Sequence, residues 1–318
     1  MTVTTNKIAN RQVICETLLA MAEEDKDIVV LASDSRGSAA MAPFAAAYPE
    51  QFVETGIAEQ NIVGIAAGLA ASGKKPFVAS PACFLSMRSI EQIKVDVAYS
   101  GTNVKLIGIS GGVSYGALGM SHHSLQDIAV MRAIPGLTVI LPADRHETRR
   151  ATEAMLEHQG GVYMRIGRNP VQDCYASSEE IPFEFGKAVE LRQGDAVTIV
   201  AAGETVRVAL DAADSLAAEG VKCRVLNMHT IKPLDAEAIR RAAAETAGII
   251  TLEEHSIHGG LGAAVAEIVV QHRPVPVRIV GIADEPAITG KTAELFEHYG
   301  ISVPHICELA TDLLKQAR

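Results

Sequence analysis

Apolar positions recur at helical spacing across residues 8–21, and the next apolar stretch, Ile28-Val29-Val30-Leu31-Ala32, is unbroken and stops at Ser33-Asp34. The first pattern predicts a helix with one buried stripe, the second a strand covered on both faces. The alternation continues. Helices are expected over 58–71, 87–99, 125–132 and 145–157, and strands over 76–80, 104–109, 138–141 and 162–166, with a glycine-rich loop running to Gly119. After Asn169-Pro170 the chain turns polar and loses both periods. A second series follows, with strands over 197–201, 223–227, 249–252 and 277–280 and helices over 206–218, 236–247, 261–270 and toward the end. Helices that separate continuously apolar strands imply parallel pairing. The expected fold class is two consecutive α/β domains with mainly parallel sheets, over 1–172 and 191–318, joined by a linker over 173–190.

A length of 318 residues suits two domains at roughly 150 residues each. Lys and Arg number 28 against 38 Asp and Glu, a formal charge of −10 that repels nucleic acid backbones and anionic membranes. Cys15, Cys83, Cys174, Cys223 and Cys307 are odd in number, scattered and never form C-x-x-C, a pattern of reduced thiols rather than of a disulfide frame or structural zinc site. The N-terminus lacks the basic stretch and apolar run of a signal peptide, and no apolar segment reaches ~18 residues. A soluble, cytoplasmic protein is expected.

Several motifs fail when counted. Gly290-Lys291-Thr292 resembles the end of a P-loop, but Glu285 stands where its first glycine is required, so a helix start is expected there. Gly259-Gly260-Leu261-Gly262 lacks the third glycine of a dinucleotide fingerprint, since Val265 holds that place, and reads as a close turn into a helix. Gly108-Ile109-Ser110-Gly111-Gly112 matches G-x-S-x-G after a strand, which raises a serine hydrolase as a rival. The loop that follows, Val113 to Gly119, is not the helix a nucleophile elbow needs. His255 and His258 beside Glu253 and Glu254, and the adjacent His122-His123, complete no zinc spacing and read as hydrogen-bonded or surface groups.

Glu59, in Glu54-Thr55-Gly56-Ile57-Ala58-Glu59-Gln60-Asn61, enters a helix otherwise made of Ala, Gly and Ile. It is either a desolvated carboxylate facing the end of a sheet or an exposed first-turn glutamate favoured by the helix dipole. The order of segments adds information. Gly56-Ile57-Ala58-Glu59-Gln60 is followed by Phe84-Leu85-Ser86-Met87-Arg88-Ser89-Ile90-Glu91-Gln92, by Gly119-Met120-Ser121-His122-His123-Ser124, and by Ile134-Pro135-Gly136-Leu137. Ile231-Lys232-Pro233-Leu234-Asp235, Glu253-Glu254-His255 and Gly259-Gly260-Leu261-Gly262 come later. From about residue 8 to residue 314 this series resembles the pyrimidine-binding and C-terminal domains of the transketolase family. The Gly-Asp-Gly of the family's diphosphate-binding domain does not occur, so the chain looks like the C-terminal subunit of a split transketolase.

The resemblance implies thiamine diphosphate as cofactor, with Mg²⁺ held by ligands on a separate N-terminal diphosphate-binding subunit and none here, in an α2β2 heterotetramer. It implies that Glu59 bonds the aminopyrimidine, that Asp34 approaches the thiazolium, and that Phe84, Met87 and Ile90 pack on the cofactor. It gives His122 and Ser38 to the sugar substrate and Arg165 to an anionic tail, phosphate or sulfonate. Leu118 and Ser110 stand where the family usually has an aspartate and a histidine, which points away from ordinary pentose phosphates. The expected activity is transfer of a two-carbon ketol unit to an aldose. The β subunit of a 2-oxoacid dehydrogenase, a 1-deoxyxylulose phosphate synthase-like carboligase and a catalytically inactive scaffold are the alternatives.

Overall fold

The continuously apolar segments do become strands with no exposed face. All residues of β1 (Ile28–Ala32) are buried, and the rest of the first domain's parallel strands are β2 (Phe52–Glu54), β3 (Lys75–Pro81), β4 (Lys105–Ile109), β5 (Thr138–Ile140) and β6 (Val162–Arg165). The computed structural model describes residues 7–179 and 181–316. Helices α1 (Asn10–Glu24), α2 (Ala42–Ala47), α3 (Glu59–Ala71), α4 (Ala82–Arg88), α5 (Ile90–Gln92), α6 (Asp127–Ala133) and α7 (Arg145–Glu157) alternate with these strands. The second domain contains β7 (Val189–Arg192), β8 (Thr198–Ala201), β9 (Arg224–Asn227), β10 (Thr230–Lys232), β11 (Ile249–Ser256) and β12 (Val277–Ile282). Its helices are α8 (Val206–Ala218), α9 (Ala236–Glu245), α10 (Leu261–His272), α11 (Thr292–His298) and α12 (Val303–Gln316).

The larger sheet has the order β10-β5-β6-β4-β3-β1-β2 and the smaller β12-β11-β8-β9-β7. In the larger one the chain moves outward from β1 to β2, then back across β1 to β3 and onward. The loops after β1 and β3 therefore diverge, and the crevice between them is a topological switch point, where open α/β sheets bind ligands.

The sequence pattern missed the short edge strands. β2 and β7 are only half buried, so neither carries an apolar run, and β7 begins at Val189, inside the stretch read as linker. β10 crosses from the second domain to pair antiparallel with β5, through Thr230 to Ile140 and Lys232 to Val139. The helix expected over 87–99 is instead three pieces. α4 starts directly after Pro81, breaks at Ser89, and α5 leads into a π-helical stretch, Ile93–Tyr99. The two domains also share one apolar core, with Leu106, Leu137 and Val139 of the first in the same buried cluster as Met228, Ile231 and Val265 of the second.

A polar bond crosses the same junction. Glu147 on α7 is fully buried, accepts from the Ala143 amide at 2.7 Å and from Asn227 Nδ2 of β9 at 2.8 Å, and is joined by the Tyr175 hydroxyl at 3.1 Å. Burial, with Asp144 adding repulsion, pushes its carboxyl up to about 7. A carboxyl raised in the folded state is protonated in both states at low pH; as pH rises, the unfolded chain ionises first and folding loses up to about 3 kcal/mol from this group. Glu147→Gln keeps the shape and one acceptor oxygen without the charge. Thermal melts at pH 5 and pH 8 should show a smaller fall in Tm with rising pH for Glu147→Gln than for the wild type.

Candidate active site

The cavity at the switch point is built by the C-terminal ends of five strands. Ser33, Asp34, Ser35 and Ser38 follow β1, Ile57 and Glu59 follow β2, Pro81, Phe84 and Arg88 lie at the end of β3, and Tyr115, Leu118 and His122 follow β4. Arg168, beyond β6, completes a cavity of about 500 Å³. The crevice is braced across its floor, where Ser33 Oγ and Ser80 Oγ lie 2.7 Å apart and the Ser35 hydroxyl donates to the Ala79 carbonyl at 3.0 Å. Asp34 turns the chain sharply with φ 52°, a region that Asp enters more readily than most residues, and its amide donates to Glu54 Oε1 at 2.7 Å.

Glu59 is the first residue of α3 and is 4% exposed, which decides between its two sequence readings: it faces the crevice, not solvent. Its charge is met by the helix N-terminus and by Arg88, whose Nη1 lies 3.0 Å from Glu59 Oε2. From Arg88 a row of π and cationic groups runs across the cavity. The Arg88 guanidinium sits 4.0 Å from the Phe84 ring centre, Phe84 meets His122 edge to face at 5.2 Å, His122 meets Tyr115 at 5.4 Å, and Arg168 lies 4.8 Å from the Tyr115 ring. Ser121 Oγ is 3.0 Å from His122 Nδ1 and leaves Nε2 as the ring's other polar atom. Arg11 on α1 ties the rim together, donating to the carbonyls of Ser38 at 2.6 Å and Arg168 at 3.1 Å.

Of the residues singled out in the sequence, Asp34, Ser38, Glu59, Phe84 and His122 meet around this cavity. Met87 lines a neighbouring recess of about 650 Å³ with Ile57, Ala58, Gln60 and Asn61, which shares Glu59 and Arg88 with the main cavity. Ile90 lines neither and is exposed, following the break at Ser89. Arg88, Tyr115 and Arg168 went unnoticed, because contact across the crevice is a property of the sheet order and not of local spacing.

Arg165 requires a correction. It is 4% exposed and does not reach the cavity. As the last residue of β6 it points into the domain junction, where its Nε is 3.4 Å from Asp127 Oδ2 and its Nη2 donates to the Glu254 carbonyl at 2.6 Å and lies 3.9 Å from Glu254 Oε2. An arginine inside a strand is enclosed by its neighbours, whereas Arg168, past the strand end and beyond Gly167, is free to face a ligand. The second arginine of Arg165-Ile166-Gly167-Arg168 was the available signal.

α11 opens at Thr292 and α10 at Leu261. Ser110 is buried at φ 55° and leads into a loop, not a helix, closed by an antiparallel bridge between Gly112 and Ser124. Glu253 accepts from the Leu261 and Gly262 amides at 2.7 and 2.8 Å, and burial lowers His255 to about 4. Among the described residues no three His, Cys, Asp or Glu side chains gather as a metal site. A second cavity, about 580 Å³ between α1 and α7, carries Arg145, Arg149 and Arg150, but each is paired with a carboxylate: Asp173 at 2.9 Å, Glu16 at 3.8 Å and Glu153 at 2.7 Å. Its charges are already satisfied.

Fold and site together define an α/β domain with a buried carboxylate at its switch point, coupled to a smaller α/β domain. Residues 6–172 match the model of the transketolase pyrimidine binding domain and residues 186–306 that of the transketolase C-terminal domain. One of the subunits of the apulose-4-phosphate transketolase of Phocaeicola vulgatus is 52% identical over 98% of this chain and 99% of its own. A 6-deoxy-6-sulfo-D-fructose transketolase subunit of Clostridium sp. is 40% identical over 96% and 94%. A solved split gene transketolase, an inactive beta4 tetramer, superposes with a TM-score of 0.88 at 38% identity, covering 98% of this chain and 100% of its own. The chain belongs to the transketolase family.

The two arginines should separate by experiment. Arg165→Met leaves Asp127 and Glu254 buried without their cation, a loss of about 3–5 kcal/mol that a denaturant melt would register. Arg168→Ala, at the cavity rim, should change stability by less than about 1 kcal/mol.

Proposed function

We propose that this chain is the pyrimidine-binding and C-terminal subunit of a two-component transketolase, which moves a two-carbon ketol unit from a phosphorylated or sulfonated ketose to an aldose. The observation that carries the reading is the burial of Glu59 at the switch point, with His122 and two arginines on the walls of the same cavity. A buried carboxylate bordered by Ile57, Ala58 and Met87 fits a flat heteroaromatic base with a hydrogen-bonding ring nitrogen, as the aminopyrimidine of thiamine diphosphate is. When bound, that cofactor supplies the electron sink for carbon–carbon bond cleavage. Glu59 would hold a proton at a carboxyl oxygen against the ring nitrogen, and Phe84 would exclude water beside it. His122, its imidazole oriented by Ser121 and Tyr115, would bond a donor hydroxyl or carbonyl. Arg168, with Ser38 opposite, would hold the anionic tail by charge-assisted bonds.

Diphosphate and Mg²⁺ need ligands that this site does not gather, so an N-terminal diphosphate-binding subunit completes it, in an α2β2 arrangement. That the similar beta4 tetramer is inactive supports this requirement. The names of the two similar subunits, of apulose-4-phosphate and 6-deoxy-6-sulfo-D-fructose transketolases, support an anionic tail on an unusual sugar, in line with Leu118 on the cavity wall. Five free thiols agree with the reducing cytoplasm.

The test is reconstitution with the diphosphate-binding subunit, thiamine diphosphate and Mg²⁺, followed by ketol transfer from a ketose phosphate. Glu59→Gln should lower kcat by about 1,000-fold or more while calorimetry still detects the cofactor. Unchanged turnover in Glu59→Gln would sink the reading. Arg168→Ala should raise KM for the phosphorylated donor by about 10- to 100-fold, equivalent to the ~1.5–3 kcal/mol of a hydrogen bond to a charged group.

A further inference from the structure

The loop that carries Tyr115, Leu118 and His122 is shaped from within by short turns, the Gly116 amide donating to the Val113 carbonyl at 2.8 Å, the Leu118 amide to that of Tyr115 at 3.0 Å and the His122 amide to that of Gly119 at 2.9 Å. It is pinched at its base by the Gly112–Ser124 bridge, with N–O distances of 3.1 and 2.8 Å, and it contains Gly112, Gly116 and Gly119, all at positive φ. Three glycines leave such a segment free to pivot about its base, so its placement against the rest of the molecule depends on contacts outside it. Beside the ring contacts with Phe84 and Arg168, outside contacts come from the second domain. Glu254 Oε1 accepts from the Val113 amide at 2.7 Å, the Ser256 amide donates to the Leu125 carbonyl at 3.1 Å, and the Ala129 amide points to His255 Nε2 at 3.4 Å. At the loop's far end a Cβ on Gly116 would lie 2.4 Å from the Gly290 carbonyl oxygen, and one on Gly119 would lie 2.6 Å from Thr289 Cγ2.

Glu254 is the strongest of these contacts, being a carboxylate on a buried amide. It is itself fixed, because Arg165 bonds its carbonyl and reaches in turn to Asp127 on α6, just beyond the loop. Side chains at Gly111 and Gly112 would overlap Arg165 and Glu254, with Cβ distances of 2.1 and 2.2 Å, so the loop base is pressed directly onto this pair.

We propose that Glu254, a residue of the second domain, is a positioning residue for the substrate loop of the first, acting through the Val113 amide to set where His122 and Tyr115 stand in the cavity. The role of the loop in sugar binding rests on the ketol-transfer reading; the clamp itself does not. This gives the C-terminal domain a task in the reaction although none of its residues lines the cavity.

Two substitutions separate this role from a general structural one. Glu254→Asp keeps the charge beside Arg165 but withdraws the oxygen from Val113, while Glu254→Gln keeps the reach and drops the charge. In the reconstituted complex, amide hydrogen exchange across residues 113–122 should quicken about 10-fold or more in Glu254→Asp and stay within about threefold of wild type in Glu254→Gln. The donor KM should follow the same order, rising about 10-fold in Glu254→Asp, with the cofactor Kd unchanged because Glu59 and Phe84 sit on α3 and α4. Equal exchange in wild type and Glu254→Asp, or a larger effect from Glu254→Gln, would overturn the proposal. If the wild-type complex turns over no ketose but the exchange pattern appears as stated, the clamp stands and the ketol-transfer reading falls.

Discussion

A guanidinium sealed from water between two sheets has to be surrounded by acceptors, and much of this molecule is arranged around that requirement at Arg165. Asp127 and Glu254 supply carboxylates from opposite domains, the Tyr163 hydroxyl donates to the same Asp127 oxygen at 2.8 Å, and Glu204 lies close enough to feel the cation. One cation cannot neutralise three carboxyls. Burial and mutual repulsion raise both Glu204 and Glu254, and the cluster retains proton affinity where ordinary carboxyls have none. Buried ion pairs add little net stability against an apolar replacement, but they discriminate strongly against any docking that separates the partners. Here the pair joins the two domains, alongside the shared core and β10.

Most of the architecture was legible in the sequence because its central strands are buried on both faces and must be apolar throughout. β1 is of this kind throughout, and β4 and β8 are so after a first polar residue, Lys105 and Thr198. β2, β7 and β10 were not legible, since three or four residues at a sheet edge carry no run and no period. The division of the helix after β3 was also hidden, because the residues before Met87 are apolar enough for strand or helix. At the site, Glu59 and His122 could be named from the order of motifs. Arg88 and Tyr115 could not, as their place depends on which strands neighbour each other. The confusion of Arg165 with Arg168 has a simpler origin: two arginines three residues apart, one before the end of a strand and one after it.

The chain is acidic overall, yet the crevice is lined by Arg88 and Arg168, with Arg11 just behind its rim. Arg88 and Arg168 stand beside Asp34 and Glu59 in the same cavity, so positive and negative groups face each other across it. Both arginines lie over aromatic rings, Phe84 and Tyr115, which hold the planar cations without taking up their hydrogen-bond donors. The donors stay free for a ligand, apart from the one Arg88 gives to Glu59.

The antiparallel strand β10 has a bearing on how this polypeptide can be divided. It closes the edge of the larger sheet, so a fragment ending before it would leave the outer amides and carbonyls of β5 bare along a fully buried, β-branched strand. Bare edges of that sort recruit other strands and lead to aggregation. The two domains that look separable in a linear map share one sheet and one apolar core, and a cut between them would expose both.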